Sequence, residues 1–371
     1  MSRENRIRVG ILFGGRSSEH EVSLQSAKNI IEALDKKKYD IVLIGIDRGG
    51  YWHLRSDSHF LLNGNNPALG KLSNSEQSLA VLPGGQSQLL SLSTQRDLGP
   101  LDIVFPVLHG PYGEDGTVQG LLKLADIPFV GAGVTGSAVG MDKDIMKRLL
   151  RDAGIPTARF VVVHRTRQGD LRFKRITAEL GLPLFVKPAN LGSSVGISKV
   201  KDEGEFERAL EAAFSYDTKI LIEEAIEGQE IECSVLGNEE PIASLPGRVI
   251  PQAEFYSYKA KYIDEDGALL EIPANLDEQT TKQVQQRAVE AFKVLCCEGM
   301  ARVDFFLTRD GEILVNEINT IPGFTRISMY PKLWEASGIG YSELLDRLIE
   351  LAIQRFERDK TLRTDTDIGK E

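Results

Sequence analysis

Asp304, Glu317 and Asn319 lie in the segment ARVDFFLTRDGEILVNEIN, whose two apolar runs flank Asp310-Gly311. An Asp-Gly pair between strand-like runs favours a two-residue type I′ hairpin. With Arg309 opposite Glu312, counting back pairs Phe306 with Val315, Asp304 with Glu317 and Arg302 with Asn319. Strand side chains alternate with a period of two, so these pairs share one face. Directly opposed carboxylates, with Cβ atoms ~4.5 to 5.5 Å apart, repel and require a cation or a shared proton. Asn319 adds a neutral oxygen, completing the all-oxygen set that suits Mg²⁺ when it also binds nucleotide phosphates. Arg302 beside them supplies a fixed positive charge for a developing oxyanion. The competing reading is a solvent-facing strand whose charges pair by chance. Phe305, Phe306, Leu307, Ile313, Leu314, Val315 and Ile318 argue instead for a covered hairpin whose carboxylates need charge partners.

A second constellation lies upstream. The run LPLFV leads into Lys187-Pro188 and then Asn190-Leu191-Gly192-Ser193-Ser194-Val195-Gly196, followed by another apolar stretch. Glycines there let backbone N–H groups close around phosphate oxygens, and the Ser193 and Ser194 hydroxyls add donors. A P-loop would open a helix and carry its lysine after the last glycine, whereas this loop joins strand to strand. Lys187 at its edge and Lys143 in the MDKD segment, at the start of a helix, both suit phosphate. A plain hairpin turn is the alternative, outweighed by Lys187 and the carboxylate set downstream.

These residues must be positioned by more than one core, because 371 residues exceed the ~250 to 300 at which a single core stops growing. Lobes with clefts between them are expected. The 42% hydrophobic and 26% charged fractions are those of a soluble globular chain, and no apolar run reaches the ~18 to 20 residues that span a bilayer. A net charge of −10 argues against a nucleic-acid partner. The start, MSRENRIRVGILFGG, shows no export pattern, so a cytoplasmic location is expected. Three cysteines, with Cys296 and Cys297 adjacent, offer no disulfide framework or zinc spacing and read as small core residues.

IRVGILF, the Gly14-Gly15 turn and a helical pattern through Val22, Ala27, Ile30 and Leu34 make a β-turn-α start, with Ser18 and Glu21 spaced as a capping box. YDIVLIGID, DIVFPVL and IPFVGA continue the alternation of a doubly wound parallel sheet. The polar stretch 56–96 reads as a surface insertion carrying short edge strands. A helix over Met141 to Ala153 ends at Gly154. Strand-like ARFVVV, LPLFVKPA, GISKV and KILIEEAI, with a helix near Glu203 to Ala213, make a small mixed lobe. QEIECSVLG, PIASLPGRVI, a helix near Asp277 to Cys297 and the hairpin make another. The fold class is thus α/β and α+β. The expected domains are 1–142 (N-terminal, Rossmann-like), 143–222 (central, with the glycine loop), 223–356 (C-terminal) and a charged, frayed tail 357–371.

Taken in order, Lys143, Lys187 with its GSSVG loop, the Glu223-Glu224-Ala225-Ile226 run ending at Glu230, and the Asp304/Glu317/Asn319 set resemble the ATP-grasp superfamily. Over nearly its whole length the chain is similar to D-alanine:D-alanine ligases. The carrying motifs are GGRSSEHEVS, HGPYGEDG, VKPANLGSSVGISKV, FYSYKAKY, RVDFFL and NEINTIPGFT. The resemblance implies a nucleotide clamped between two α+β lobes. It implies ATP and Mg²⁺ or Mn²⁺ as cofactors, two ions being expected, and a homodimer acting on small molecules. ATP phosphorylates the carboxylate of one D-alanine, whose acyl phosphate the amine of a second attacks. Carried over by position, Glu19 binds the first ammonium, near His109. Glu19, Ser193 and Tyr262 form a triad closing a lid at Tyr256–Gly267. Lys261 points to the phosphoryl group. Arg302 and the Gly323 N–H meet the oxyanion, and Gly323, Ser328 and Met329 take the second carboxylate. Lys143, Lys187, Ser193, Ser194, Asn316 and Glu317 serve the phosphates. Adenine lies against Glu223, Glu224, Ala225 and Ile226, with Glu230 on the ribose and Phe306 against the ring. Glu224 departs from relatives carrying lysine there. Tyr262 favours an amine acceptor, hence the dipeptide, over D-lactate; D-serine is the further alternative.

Overall fold

The computed structural model describes residues 6–55, 78–84, 87–251 and 268–363. The N-terminal lobe runs β1 (Ile7–Gly14), α1 (His20–Ala33), β2 (Tyr39–Ile46), β3 (Trp52–Arg55), β4 (Leu79–Val81), β5 (Gln88–Ser91), β6 (Arg96–Pro100), β7 (Ile103–Val107), α2 (Thr117–Leu124) and α3 (Val134–Met141). Its main sheet has the order β3-β2-β1-β7, with β1 parallel to both neighbours and β3 antiparallel at the edge. IPFVGA adds a single bridge, Phe129 to Val104, rather than a strand. The 56–96 stretch contributes to a separate antiparallel sheet, β4-β5-β6; its residues 56–77 and 85–86 lie outside the described ones. At Gly14, with φ +93°, a Cβ would stand 2.2 Å from the Ile46 carbonyl, so only glycine lets β1 turn towards α1 there.

The expected capping box does not form. Helix α1 begins at His20 with Glu19 as its N-cap residue and no side-chain cap. The Glu21 carboxylate is drawn off to Arg48 instead, and that ion pair competes with the reach back to the backbone that a capping box needs.

The central lobe comprises α4 (Lys143–Asp152), β8 (Phe160–His164), α5 (Phe173–Leu180), β9 (Leu184–Pro188), β10 (Ser198–Val200), α6 (Glu203–Tyr216) and β11 (Lys219–Glu224). The helix expected over Met141 to Ala153 is α4, and a helix that was not expected, α3, precedes it; the two break at Asp142, whose carboxylate caps α4 by accepting from the Asp144 and Ile145 N–H groups. The sheet, β10-β9-β11-β8, is antiparallel throughout. It closes over a core of its own around Val186, Phe206, Ala213 and Ile220.

The C-terminal lobe holds β12 (Gly228–Gly237), β13 (Ile242–Ala243), β14 (Gly247–Pro251), β15 (Ala268–Glu271), α7 (Glu278–Val294), β16 (Gly299–Thr308), β17 (Ile313–Asn319), α8 (Met329–Ala336) and α9 (Tyr341–Lys360). Its sheet has the order β15-β14-β12-β16-β17. Met300, Phe324, Trp334 and Leu348 join the core beneath β1 and β7, so the outer two lobes share one core. Met146 and Leu150 of α4 likewise pack with Phe292 and Val303 of the C-terminal lobe. Each fully buried side chain of this size contributes roughly 1.5 to 3 kcal/mol, which fixes the outer lobes together while the central sheet keeps a separate core.

Two further expectations change. Helix α9 continues to Lys360, past the expected start of a frayed tail at 357, because Arg358 pairs with Glu239 at 2.5 Å and Glu298 at 2.8 Å. Cys233 and Cys297 are buried, but Cys296 is exposed. Cys296 has φ +55°, the left-handed turn that ends α7, and this geometry sends its side chain outwards while Cys297 enters the core. No helix among the described residues is long and apolar enough to cross a membrane.

Candidate active site

The hairpin brings its polar residues to one face by a route different from the expected one. Thr308 N–H donates to the Glu312 carbonyl across a three-residue loop, with Gly311 at φ +83°. That is a turn closed by a left-handed glycine rather than a two-residue loop. The extra residue moves every pair near the turn, so Phe306 faces Leu314 instead of Val315. A bulge at Asp304/Phe305 then leaves Asn316 as the extra residue on β17 and resets the register. Beyond it Asp304 pairs with Glu317, and Arg302 with Asn319. Two one-residue irregularities cancel where the carboxylates stand.

Arg302 grips Asp304 with two bonds of 2.7 Å, from Nε and Nη2, and reaches Glu232 at 2.8 Å. Glu232 stands across from Asp304 on β12. It is a residue that sequence spacing alone did not single out, because β12 is distant in the chain. Asn319 Nδ2 donates to Asp304 Oδ2 at 3.0 Å, so its amide oxygen is the atom that could face a cation. Glu317 faces Lys143 Nζ at 3.5 Å. Among the described residues no group of three or more acidic, histidine or cysteine ligands is assembled. The donor set is two facing carboxylates and one amide, all oxygen, with Arg302 and Lys143 balancing their charge. That set fits a hard divalent cation.

Lys143 opens α4, and its ammonium also donates to the Leu191 carbonyl at 2.6 Å, tying the helix to the glycine loop. Asn190 is pinned by Asp217 through its backbone N–H at 2.9 Å and its side chain at 3.0 Å. Beyond it Ser193 and Ser194 hold φ +53° and +59°, a conformation costing roughly 1 to 2 kcal/mol per non-glycine residue. Such strain persists where surrounding contacts enforce it. The contact here is Ser193 Oγ donating to the Glu19 carboxylate. Glu19, only 5% exposed, sits just ahead of α1, so this bond joins the N-terminal lobe to the glycine loop. Tyr262, Lys261 and the expected lid lie outside the described residues.

At the hinge, Glu223 is 2% exposed and holds two ammonium groups, Lys187 on one oxygen and Lys147, at 3.1 Å, on the other. Burial pushes its carboxyl up, but the lysines outweigh this and hold it below the usual range. Glu224 turns away from them. Its carboxylate accepts from the Arg159 N–H and Nε, both at 2.7 Å. Ala225 N–H donates to the Pro183 carbonyl at 3.2 Å, and Ile226 is half-buried beside it. Glu230 pairs across strands with Phe306, and both are half-buried.

On the opposite side, His109 is buried with Nδ1 3.0 Å from the Ile321 carbonyl. Burial lowers its pKa, against the pull of Glu19. Glu114, in the same HGPYGEDG motif, accepts from Gly110 N–H at 2.7 Å and Ile321 N–H at 3.3 Å. Burial, then Glu19, pushes its carboxyl up to about 8. Both side chains therefore grip Ile321, fixing the loop that follows. Within that loop Ser328, ahead of α8 and next to Met329, accepts from the Thr325 N–H at 3.0 Å. A Cβ at Gly323 would lie 2.7 Å from Ser328 Oγ.

A lysine-lined cleft between two mixed lobes, with an acidic hairpin on one wall, defines an ATP-grasp enzyme, the fold of solved structures that the chain resembles. The profile described as D-ala D-ala ligase N-terminus matches residues 8–132, and that described as D-ala D-ala ligase C-terminus matches 149–350. The chain belongs to the D-alanine–D-alanine ligase family. It is 58% identical to a D-alanine–D-alanine ligase of Shouchella clausii, covering 96% of this chain and 97% of that one. The D-alanine–D-alanine ligase structure from Coxiella burnetii superposes with a TM-score of 0.86 at 44% identity, covering 96% and 97% of the two chains. The VanG D-Ala:D-Ser ligase of Enterococcus faecalis gives 0.83 at 39%, covering 94% and 99%.

Proposed function

We propose that this chain joins two D-alanine molecules into D-alanyl-D-alanine with conversion of ATP to ADP and phosphate, through a D-alanyl phosphate, as a supplier of peptidoglycan precursor. The observation that supports this reading is the Ser193–Glu19 bond, which joins the carboxylate proposed to bind an amine to the loop proposed to bind phosphate. A small amino acid held by its ammonium at Glu19 then presents its own carboxylate towards Lys187 and Lys143.

A carboxylate is a poor electrophile until one oxygen becomes a phosphate leaving group. Lys143, Lys187 and the loop hydroxyls of Ser193 and Ser194 orient and neutralise the transferred phosphoryl. Asp304, Glu317 and Asn319 would hold Mg²⁺ or Mn²⁺, two ions being the proposed number, with Asn316 beside them. When bound, the metal supplies charge neutralisation and alignment of the phosphates. Adenine lies along Glu223 to Ile226 with Glu230 at the ribose and Phe306 against the ring. The acceptor's carboxylate lies at Ser328, Gly323 and Met329, where α8 presents its unpaired N–H groups. Its amine attacks the acyl carbon, the C–O bond to phosphate breaks, and Arg302 with the Gly323 N–H steadies the oxyanion between these events. His109 stands beside the first substrate. Lys261 and Tyr262 complete the site from the lid, whose closure keeps water from the acyl phosphate. The protein is proposed to work in the cytoplasm as a homodimer.

The D-serine and D-lactate acceptor readings share this scaffold. Identity of 58% to a D-alanine–D-alanine ligase, against 39% to the D-Ala:D-Ser enzyme, favours D-alanine. The test offers D-alanine as donor with D-alanine, D-serine or D-lactate as acceptor and identifies products by mass. The dipeptide should dominate; a mixed product in excess would overturn the assignment.

A further inference from the structure

Lys147 is fully buried on α4, one helical turn beyond Lys143, and has no place among the substrate contacts above. Its ammonium lies 3.1 Å from Glu223 Oε1 and 5.7 Å from the centre of the Phe160 ring. The other Glu223 oxygen, Oε2, is paired with Lys187. Lys143, the third lysine of the group, faces Glu317. Without Lys147 the buried Glu223–Lys187 pair would be neutral. The lysine at the edge of the phosphate loop would then spend its charge on the hinge carboxylate instead of the nucleotide.

We propose that Lys147 is a positioning residue, a buried counter-ion that neutralises Glu223 so that the charge of Lys187 remains available to nucleotide phosphate. This rests on the reading of the cleft as the ATP site. Lys147 touches no substrate; it acts through Glu223 on Lys187. A charge so placed is felt strongly, because the site excludes water and its screening.

A purely structural lysine and a counter-ion differ in one respect. Loss of a packing residue weakens the site whatever Glu223 carries, whereas loss of a counter-ion matters only while Glu223 is charged. Calorimetric titration with Mg²⁺-ADP compares the wild type, Lys147→Met, Glu223→Gln and the double variant, each checked for folding by circular dichroism. Lys147→Met should weaken nucleotide binding roughly tenfold or more, the scale of one unneutralised charge at ion-pair distance. In the Glu223→Gln background the same change should move affinity by less than about twofold. Equal losses in both backgrounds, or no loss in the first, overturn the proposal.

If Lys147→Met alone does not fold, the double variant carries the test. It removes both members of the Lys147–Glu223 pair, a change often neutral for stability, and leaves Lys187, 7% exposed, as the one charge of the three. Its affinity should match that of Glu223→Gln, and a value more than about fivefold weaker overturns the proposal. Failure of the wild type itself to bind Mg²⁺-ADP would instead sink the nucleotide-site reading, and this proposal with it.

Discussion

Replacing Glu317 by glutamine keeps the side chain's shape and removes one charge from the face shared with Asp304, its direct cross-strand partner. The change touches stability through Lys143, whose Nζ lies 3.5 Å from Glu317 in a pair with side chains 7% and 20% exposed. Coulomb's law gives up to about 5 kcal/mol for that separation at an effective dielectric of 20, and desolvation and residual solvent reduce it to ~1 kcal/mol net. A fall of about 1 to 2 °C in melting temperature is therefore expected. The effect on catalysis is larger, because a divalent ion doubles the Coulomb term. Loss of one of two carboxylates from its site should cost ~3 to 4 kcal/mol, a fall of roughly 10² to 10³ in kcat/KM for Mg²⁺-ATP. The assay couples ADP release to absorbance across a Mg²⁺ titration, with thermal melts on the same preparations. A kcat/KM within about threefold of wild type at saturating Mg²⁺ would refute the metal assignment. Loss of activity accompanied by wholesale unfolding would refute the separation of the two effects.

Gly323→Ala places a methyl 2.7 Å from Ser328 Oγ and should displace that hydroxyl. The expected result is a rise of about tenfold in KM for the acceptor D-alanine, with KM for ATP little changed, read from initial rates with each substrate varied. Glu114 carries a pH signature. Its folded pKa, pushed from 4.5 up to about 8 by burial and Glu19, lies above the unfolded value, so its contribution is fully present below about 4.5 and fades as pH rises through about 8. Glu114→Gln should flatten the loss of stability between pH 5 and 8, roughly the interval between the two values, in urea unfolding at several pH values. An unchanged slope would contradict it.

The hairpin shows both the reach of sequence and its limit. Alternation of Arg302, Asp304 and Phe306 with buried Val303 and Phe305 is a local property and could be read directly. The three-residue turn and the bulge at Asn316 could not, because each depends on backbone torsions that the Asp-Gly pair leaves open. The pairing at Asp304 agrees with the count from the turn only because these two shifts cancel. Residues that act through neighbours distant in the chain were invisible for a different reason. Glu232 meets Arg302 across β12 and β16, Lys147 meets Glu223 across the hinge, and Glu114 grips Ile321 from another lobe. Lys143 and Lys147, four residues apart on one helix, did offer a local hint that both face the same cleft. Ser18 and Glu21 had the spacing of a cap, but the ion pair with Arg48 prevailed. Cys296 followed the backbone turn at the end of α7 and not the tendency of its residue type to be buried.

The most direct test is the stoichiometry of the wild-type reaction: ADP, phosphate and dipeptide measured together from ATP, Mg²⁺ and D-alanine. Ligation through an acyl phosphate requires one ADP, one phosphate and one D-alanyl-D-alanine per turnover, and no ADP release above background when D-alanine is omitted. ADP release independent of D-alanine, or dependent on it with no dipeptide formed, would contradict the account.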